Sequence, residues 1–208
     1  MMFVLLKLLS RRALVTFSVM AAHRAAQPWC EADAAEVPFG DTEENSRCIR
    51  YYGPIEGSAL MELNGALVKL AEASTDTIDL HLQSSGGELI PALYTADLIR
   101  DISKTTPVHT YVDGYAASAA TLLSVSGEKR FITQHSSLLI HQLSSKHEGT
   151  YQELVDAMKN DQLLMRQIVS VYKRTFRGSE DDLLTLLNRN LLLDAATCLR
   201  FGLVDVVY

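Results

Sequence analysis

The sequence predicts an α/β fold with a mostly parallel sheet, because helix-like and strand-like patterns alternate along most of the chain. Residues 58–73 place leucines at helical spacing, which is typical of an amphipathic helix with one buried face. Residues 77–83 then alternate apolar and polar side chains, as a half-buried strand does. The length of 208 residues suits one domain with a sizeable core.

The same alternation continues toward the C-terminus. The further predictions, in chain order, are a turn at 84–87, a helix from this turn through Leu98, a strand at 108–112 closed by Asp113 and Gly114, a helix at 116–125, strands at 130–133 and 138–143, a long helix at 149–176 and a terminal strand at 201–208.

The N-terminal part of the chain has a different composition. Residues 1–30 contain basic residues but no acid, and their apolar run at 13–22 is shorter than the roughly 20 residues of a membrane span. This pattern predicts a targeting segment, with a mitochondrion or plastid as the expected compartment. A secretory signal and a short membrane anchor remain alternatives. Residues 31–47 are interpreted as an acidic linker, and residues 48–208 as the folded domain.

Composition excludes several classes of function. A formal net charge of −6 argues against a nucleic-acid partner, which usually requires a basic face. The three cysteines, Cys30, Cys48 and Cys198, lack the spacing of a zinc site or of a disulfide framework. We therefore expect unpaired thiols, no bound metal and no organic cofactor.

Three short segments carry groups that acyl transfer needs. A serine, Ser118, is flanked by alanines at the predicted start of a helix, where free backbone N–H groups favour a developing oxyanion. The glycines of the turn at 84–87 allow close approach of the backbone to a ligand. A histidine, His141, lies in the predicted strand at 138–143 and could accept the serine proton. Each segment alone is more often structural, but together they supply oxyanion donors, nucleophile and base.

These segments resemble the ClpP family, the proteolytic subunits of the Clp protease. The similarity extends from about residue 52 to residue 205 and depends on four motifs. They are SSGG at 84–87, GYAASAATLL at 114–123, LIHQL at 139–143 and FGLVD at 201–205.

The resemblance implies a ClpP/crotonase-like fold, in which the long predicted helix after Gly149 forms a protruding handle. It implies Ser118 as the nucleophile, His141 as the general base, and the N–H groups of Gly87 and Ala119 as the oxyanion hole. It also implies assembly of identical or related subunits into a heptameric double ring. The expected partners are a Clp-type ATPase, which would consume the ATP, and unfolded polypeptide as substrate.

Several positions depart from the family pattern. Asn190 occupies the place of the catalytic aspartate; an asparagine carbonyl can accept the imidazole N–H, but it lacks the charge that stabilises an imidazolium. Asp194, four residues later, is an alternative partner for His141. Asp79 and His81 replace the aromatic residues that line the family's ATPase-docking pocket, which weakens the expectation of ordinary docking.

These departures leave three hypotheses open. The first is an active, ATP-dependent serine endopeptidase subunit. The second is a ClpR-like subunit that completes a mixed ring without cleaving substrate, as Asn190 suggests. The third is a Ser-Lys peptidase with Lys129 as the base, or an acyl-CoA enzyme on the same crotonase scaffold.

Overall fold

The computed structural model describes residues 46–208. The predicted targeting segment and nearly all of the predicted acidic linker lie outside the described residues, as does Cys30. The helices are α1 (Gly57–Ala73), α2 (Leu89–Ile102), α3 (Ala119–Ser124), α4 (Tyr151–Lys173), α5 (Glu180–Leu187) and α6 (Ala195–Arg200). The strands are β1 (Cys48–Tyr52), β2 (Ile78–Ser84), β3 (Val108–Ala117), β4 (Lys129–Ile132), β5 (Ser137–Leu139), β6 (Leu193–Asp194) and β7 (Val206–Val207).

The sheet confirms the predicted mostly parallel α/β class. Strands β1, β2, β3, β4 and β7 are neighbours in that order, and every pair among them is parallel. Strand β3 is long enough to have two partners on the same side: its first half pairs with β4 and its second half with β5. Only β6 runs antiparallel, against β5, within the described residues.

The core lies on the face of the sheet that the helices cover. Alternate residues of β2, such as Leu80 and Leu82, are fully buried, as are Leu63 and Leu67 of α1. This packing follows from the sequence, because the strand period of two and the helix period of 3.6 each produce one apolar face.

Helix α4 projects from this core. None of the residues 151–167 is buried, whereas Ile168, Val171 and Tyr172 near its C-terminal end are. A capping box formed by Thr150 and Glu153 starts the helix. The predicted long helix is therefore confirmed, and only its last two turns are anchored in the domain. No helix among residues 46–208 combines the length and the apolar run that crossing a membrane requires.

Two predicted strands differ from those observed, because strand ends depend on tertiary neighbours. The strand at 108–112 does not end at Gly114; it continues to Ala117, since β5 replaces β4 as its hydrogen-bonded partner. The helix predicted from residue 116 consequently starts at Ala119. The strand predicted at 138–143 ends at Leu139, because the chain beside it turns into α3, so His141 lies in a loop.

The C-terminal region contains more elements than its pattern predicted. The strand predicted at 201–208 is reduced to Val206–Val207, and α5, β6 and α6 had not been predicted. At the other end of the described chain, β1 had not been predicted either. The elements β6 and α6 are two and six residues long, too short to show a period. Within residues 46–208, Cys48 and Cys198 form no disulfide.

Candidate active site

The candidate nucleophile lies in a strained turn between β3 and α3. Ser118 has φ 55° and ψ −129°, and it is the only non-glycine residue with positive φ among residues 46–208. L-residues adopt this conformation only where the surrounding structure enforces it. Here the Ser118 N–H donates a 2.8 Å hydrogen bond to the Leu139 carbonyl at the end of β5. The turn thus places the serine where two strands end together.

The Gly86-Gly87 loop passes directly over this turn. A Cβ atom added to Gly86, whose φ is 91°, would lie 2.6 Å from both the Ala117 carbonyl oxygen and the Ser118 Cβ. A Cβ added to Gly87, with φ 152°, would lie 2.1 Å from the Ile55 carbonyl oxygen. Only glycine fits at these two positions.

The same loop leaves the Gly87 N–H available. Ile55 pairs with this loop through bonds from its N–H to the Gly86 carbonyl and from the Glu88 N–H to its own carbonyl, both 2.8 Å long. In a parallel bridge of this kind the N–H of the middle residue points away from the partner strand. Ala119 begins α3, so its N–H has no acceptor within the helix.

A cavity of about 330 Å³ brings the predicted groups together. Ser118, His141, Gly87 and Ala119 all line it. Its apolar wall consists of Leu89, Leu122, Leu143 and Ile168, and the ring of Tyr172 completes it. Leu122 and Leu143 belong to the motifs at 114–123 and 139–143, and Ile168 belongs to the apolar stripe of the long helix. No sequence pattern marked any of these residues as lining a pocket. The arrangement suits an extended acyl group bound beside a hydroxyl nucleophile.

The third predicted residue is less well placed. Asn190 is exposed and does not line the cavity. Among the described residues, the His141 side chain forms no hydrogen bond, either with Asn190 or with Asp194. Asp194 caps α6 by accepting a 2.8 Å bond from the Thr197 N–H. Hydrogen bonding by the Thr197 side chain, and then this backbone bond, lower the pKa of the Asp194 carboxyl group.

The backbone keeps the segments that carry Asn190 and His141 next to each other. Strand β6 runs antiparallel to β5 with Asp194 opposite Ser137 and Leu193 opposite Leu138. His141 lies four residues beyond Ser137, so Asp194 is about 13 Å away along the strand. A 2.7 Å bond from the Gln142 N–H to the Leu187 carbonyl joins the loop of His141 to the end of α5. Asn190 and His141 both lie between these two contacts, so the backbone favours Asn190 over Asp194 as the partner of His141.

The outer face of the sheet carries the residues at the family's docking positions. Asp113 accepts hydrogen bonds from Tyr52 at 2.7 Å and Tyr208 at 3.2 Å, and His81 Nδ1 lies 2.8 Å from the same carboxylate. Burial, reinforced by the bond to Asp113, raises the pKa of Tyr52 to about 12, so it remains a donor at neutral pH. Asp79 lies beside this cluster on β2 and is 43% exposed. On the same face the rings of His81, Tyr111 and Phe131 stack in a row with neighbouring centroids 4.5 Å apart. The face where the resemblance implies an apolar pocket thus combines a polar network with an aromatic row.

Lys129, the base of the Ser-Lys hypothesis, lies elsewhere. It is exposed at the start of β4 on the outer face, with its Nζ 5.3 Å from the centre of the Phe131 ring. It does not line the cavity that holds Ser118. The structure therefore gives this lysine no role in activating Ser118. The Ser-Lys hypothesis is left without the general base that it named.

The fold and the cavity together define a mostly parallel α/β protein with a serine and a histidine lining one pocket. The chain resembles the solved structure of an Asn-to-Asp mutant of ClpP1 from Listeria monocytogenes, with a TM-score of 0.70 over 78% of this chain and 91% of that one, at 21% identity. This likeness supports the fold.

Sequence comparison gives the family. The model of the Clp protease family matches residues 41–208. Two ATP-dependent Clp protease proteolytic subunits, each 30% identical, come from pines: that of Pinus contorta matches over 85% of this chain and 87% of its own length, and that of Pinus thunbergii over 70% and 76%. The chain belongs to the Clp protease family.

Proposed function

We propose that this chain is an active serine-type endopeptidase subunit that cleaves unfolded polypeptides with the help of a partner ATPase. The observation that carries this proposal is the strained turn that presents Ser118 to the same cavity as His141. Such strain persists only where the surrounding structure maintains it, and it concentrates at functional sites.

The proposed reaction is acyl transfer in two steps. His141 takes the proton of the Ser118 hydroxyl as its oxygen attacks the substrate carbonyl carbon. The N–H groups of Gly87 and Ala119 stabilise the resulting oxyanion. His141 then gives the proton to the leaving amine, the peptide C–N bond breaks, and an ester to Ser118 remains. Water, deprotonated by His141, hydrolyses this ester and restores the hydroxyl.

The proposed partners follow from family membership. We expect identical or related subunits in a heptameric double ring, with α4 as the handle, and a Clp-type ATPase that consumes the ATP. The polar network around Asp113 predicts weaker docking of an ordinary Clp ATPase than an apolar pocket would allow. The basic, acid-free residues 1–30 support an organelle, mitochondrion or plastid, as the compartment.

A second candidate function is a ClpR-like structural subunit. The observation that favours it is the His141 ring, which has no hydrogen-bond partner among the described residues, while Asn190 is exposed. An unoriented imidazole activates a serine poorly. On this hypothesis the chain completes a mixed ring and leaves cleavage to its neighbours.

A reactive-serine probe separates the two functions. We expect a fluorophosphonate to label the purified protein, and Ser118→Ala to abolish the labelling. Ser144→Ala is the matched control, because Ser144 lines the same cavity but lies in the loop after His141; it should leave labelling unchanged. If the parent protein forms rings and neither it nor Asn190→Asp is labelled, the structural-subunit function replaces the proposed one.

A further inference from the structure

Two hydroxyl groups form a hydrogen-bond chain behind Ser118. The Thr121 Oγ1 atom lies 2.5 Å from the Ser118 carbonyl oxygen, and the Tyr172 hydroxyl lies 2.5 Å from the same Oγ1. Thr121 is fully buried in α3, and Tyr172 is only 1% exposed at the anchored end of α4. Thr121 belongs to the motif at 114–123, but neither residue is among the groups that the proposed reaction uses directly.

The direction of this chain follows from its acceptor. The Ser118 carbonyl can only accept, so the Thr121 hydroxyl donates to it. The Tyr172 hydroxyl must then donate to Thr121 Oγ1, because the threonine proton is already used. Burial raises the pKa of Tyr172, which keeps this donor protonated at any physiological pH. The chain therefore runs from Tyr172 through Thr121 to Ser118.

The held carbonyl shares a peptide unit with a predicted oxyanion donor. The Ser118 C=O and the Ala119 N–H lie in one plane and point in opposite directions, because the peptide bond is planar and trans. The carbonyl accepts a 3.0 Å hydrogen bond from the Thr121 N–H and a second bond from the Thr121 hydroxyl. These two bonds fix its orientation. Fixing the carbonyl inward aims the Ala119 N–H outward, toward the cavity that Ala119 lines.

We propose that Thr121 and Tyr172 are positioning residues that aim the Ala119 N–H at the developing oxyanion. The catalytic role of Thr121 and Tyr172 rests on the proposed function. Their effect on the orientation of the Ser118–Ala119 peptide does not depend on that function. Because Tyr172 belongs to α4, the same chain makes the geometry of the oxyanion hole depend on how the anchored end of the handle packs against α3.

The first test measures the peptide geometry without requiring activity. Hydrogen exchange of the Thr121 amide reports its bond to the Ser118 carbonyl. We expect Tyr172→Phe and Thr121→Val to speed this exchange by about 3- to 10-fold, the range that the loss of one buried hydrogen bond allows. Thr121→Ser, which retains the hydroxyl, should stay near the parent. Unchanged exchange in both Tyr172→Phe and Thr121→Val overturns the proposal, whatever the activity of the protein.

A matched control separates this effect from general loosening of α3. Thr110 is also a buried threonine, and its hydroxyl donates a 2.6 Å bond to the Ser124 carbonyl at the other end of α3. Thr110→Val should speed exchange near Ser124 and leave the Thr121 amide unchanged. If Thr110→Val speeds exchange at Thr121 as much as Thr121→Val does, the chain supports α3 in general and the positioning role is wrong.

The second test measures the chemical consequence by fluorophosphonate kinetics. We expect Tyr172→Phe to lower the maximal labelling rate by about 3- to 10-fold and to leave the probe's half-saturating concentration unchanged, because the ring still lines the cavity. The double variant with Thr121→Val should be little slower than either single variant, since both break one chain. If the parent is labelled and both single variants react at its rate, the positioning role is wrong. If the parent is not labelled, the proposed function fails and hydrogen exchange alone decides.

Discussion

The two halves of the candidate site are supported very differently. On the nucleophile half, the Ser118 turn is held by a bond to the Leu139 carbonyl and by the close contact of Gly86. On the base half, His141 lies in a loop and its side chain has no hydrogen bond among the described residues, while Asn190 is exposed. The rigid main chain thus specifies where the nucleophile is, and side chains alone must orient the base.

This contrast indicates which half limits activity. Catalysis benefits most from groups that are held in position before the reaction begins, because no reorganisation is then needed in the transition state. The nucleophile half meets this condition, and the base half does not. Changes that improve the base half should therefore raise activity, whereas changes to the nucleophile half should only lower it.

The largest expected effect is a gain on the base half. Asn190→Asp adds a carboxylate to the segment beside the loop of His141, where we expect it to orient the ring and stabilise the imidazolium. We expect fluorophosphonate labelling to accelerate by about 10²- to 10⁴-fold. The upper figure is the inverse of the loss that an Asp-to-Asn change causes in a serine protease triad. Rapid-quench or gel-based labelling kinetics provide the measurement.

A neighbouring asparagine provides the control for charge. Asn188 caps α5 two residues earlier and is also exposed, so Asn188→Asp adds the same charge to the same segment. This variant should remain within about twofold of the parent if residue 190 acts by orienting the imidazole, because added surface charge alone contributes little. An equal gain in both variants would mean that charge, rather than orientation, limits the base half.

The next largest effect is a loss on the nucleophile half. Gly86→Ala introduces a Cβ only 2.6 Å from the Ala117 carbonyl and the Ser118 Cβ, at a φ of 91° that alanine rarely adopts. We expect labelling of Ser118 to fall at least about 100-fold and the free energy of unfolding to fall by about 1–3 kcal/mol. Labelling kinetics and a denaturant titration measure the two effects.

A glycine outside the site gives the matched control. Gly65 lies in the exposed part of α1, and a Cβ there meets nothing within 4 Å. Gly65→Ala should leave labelling unchanged and raise the free energy of unfolding by about 0.5–1 kcal/mol, since alanine favours a helix interior. Normal labelling in Gly86→Ala would show that the loop is not fitted to the Ser118 turn.

The same contrast separates what the sequence predicts from what it does not. Helix α1, strand β2 and the long helix α4 have strong local periods, and all three were predicted correctly. Ser118, Gly87, Ala119 and His141 occur in short motifs, and the structure brings all four to one cavity. Their catalytic roles stay predictions until the serine is tested.

What was missed depends on contacts between distant segments. The extension of β3 to Ala117 depends on its exchange of β4 for β5, which no local pattern records. Tyr172 and Thr121 are 51 residues apart, and only the packing of α4 on α3 joins their hydroxyls. The orientation of the Asn190 side chain depends equally on tertiary structure, so sequence could identify the position but not its contacts.

The smallest expected effect concerns the loop that follows His141. Asp161 of α4 ties this loop to the handle by accepting bonds from Ser145 at 2.5 Å and lying 2.8 Å from His147 Nε2. The bond from Ser145, and then that from His147, lowers the pKa of the Asp161 carboxyl group. A carboxyl group whose pKa is lower in the folded state stabilises that state above its unfolded pKa of about 3.9, and this contribution is lost as the pH falls through the folded value.

We therefore expect hydrogen exchange of residues 142–149, corrected for its intrinsic pH dependence, to remain constant from pH 7 to about pH 4 and to rise below that. Asp161→Asn should show the faster exchange throughout and reduce labelling by no more than about twofold, because the bonds are exposed. Asp156→Asn is the control, since within residues 46–208 the Asp156 carboxylate bonds to Gln152 and pairs with Lys159, both on its own helix. If residues 142–149 exchange at the same rate in Asp161→Asn and in Asp156→Asn, the main chain holds the loop and the Asp161 bonds do not. The base half would then be more rigid than its side-chain contacts indicate.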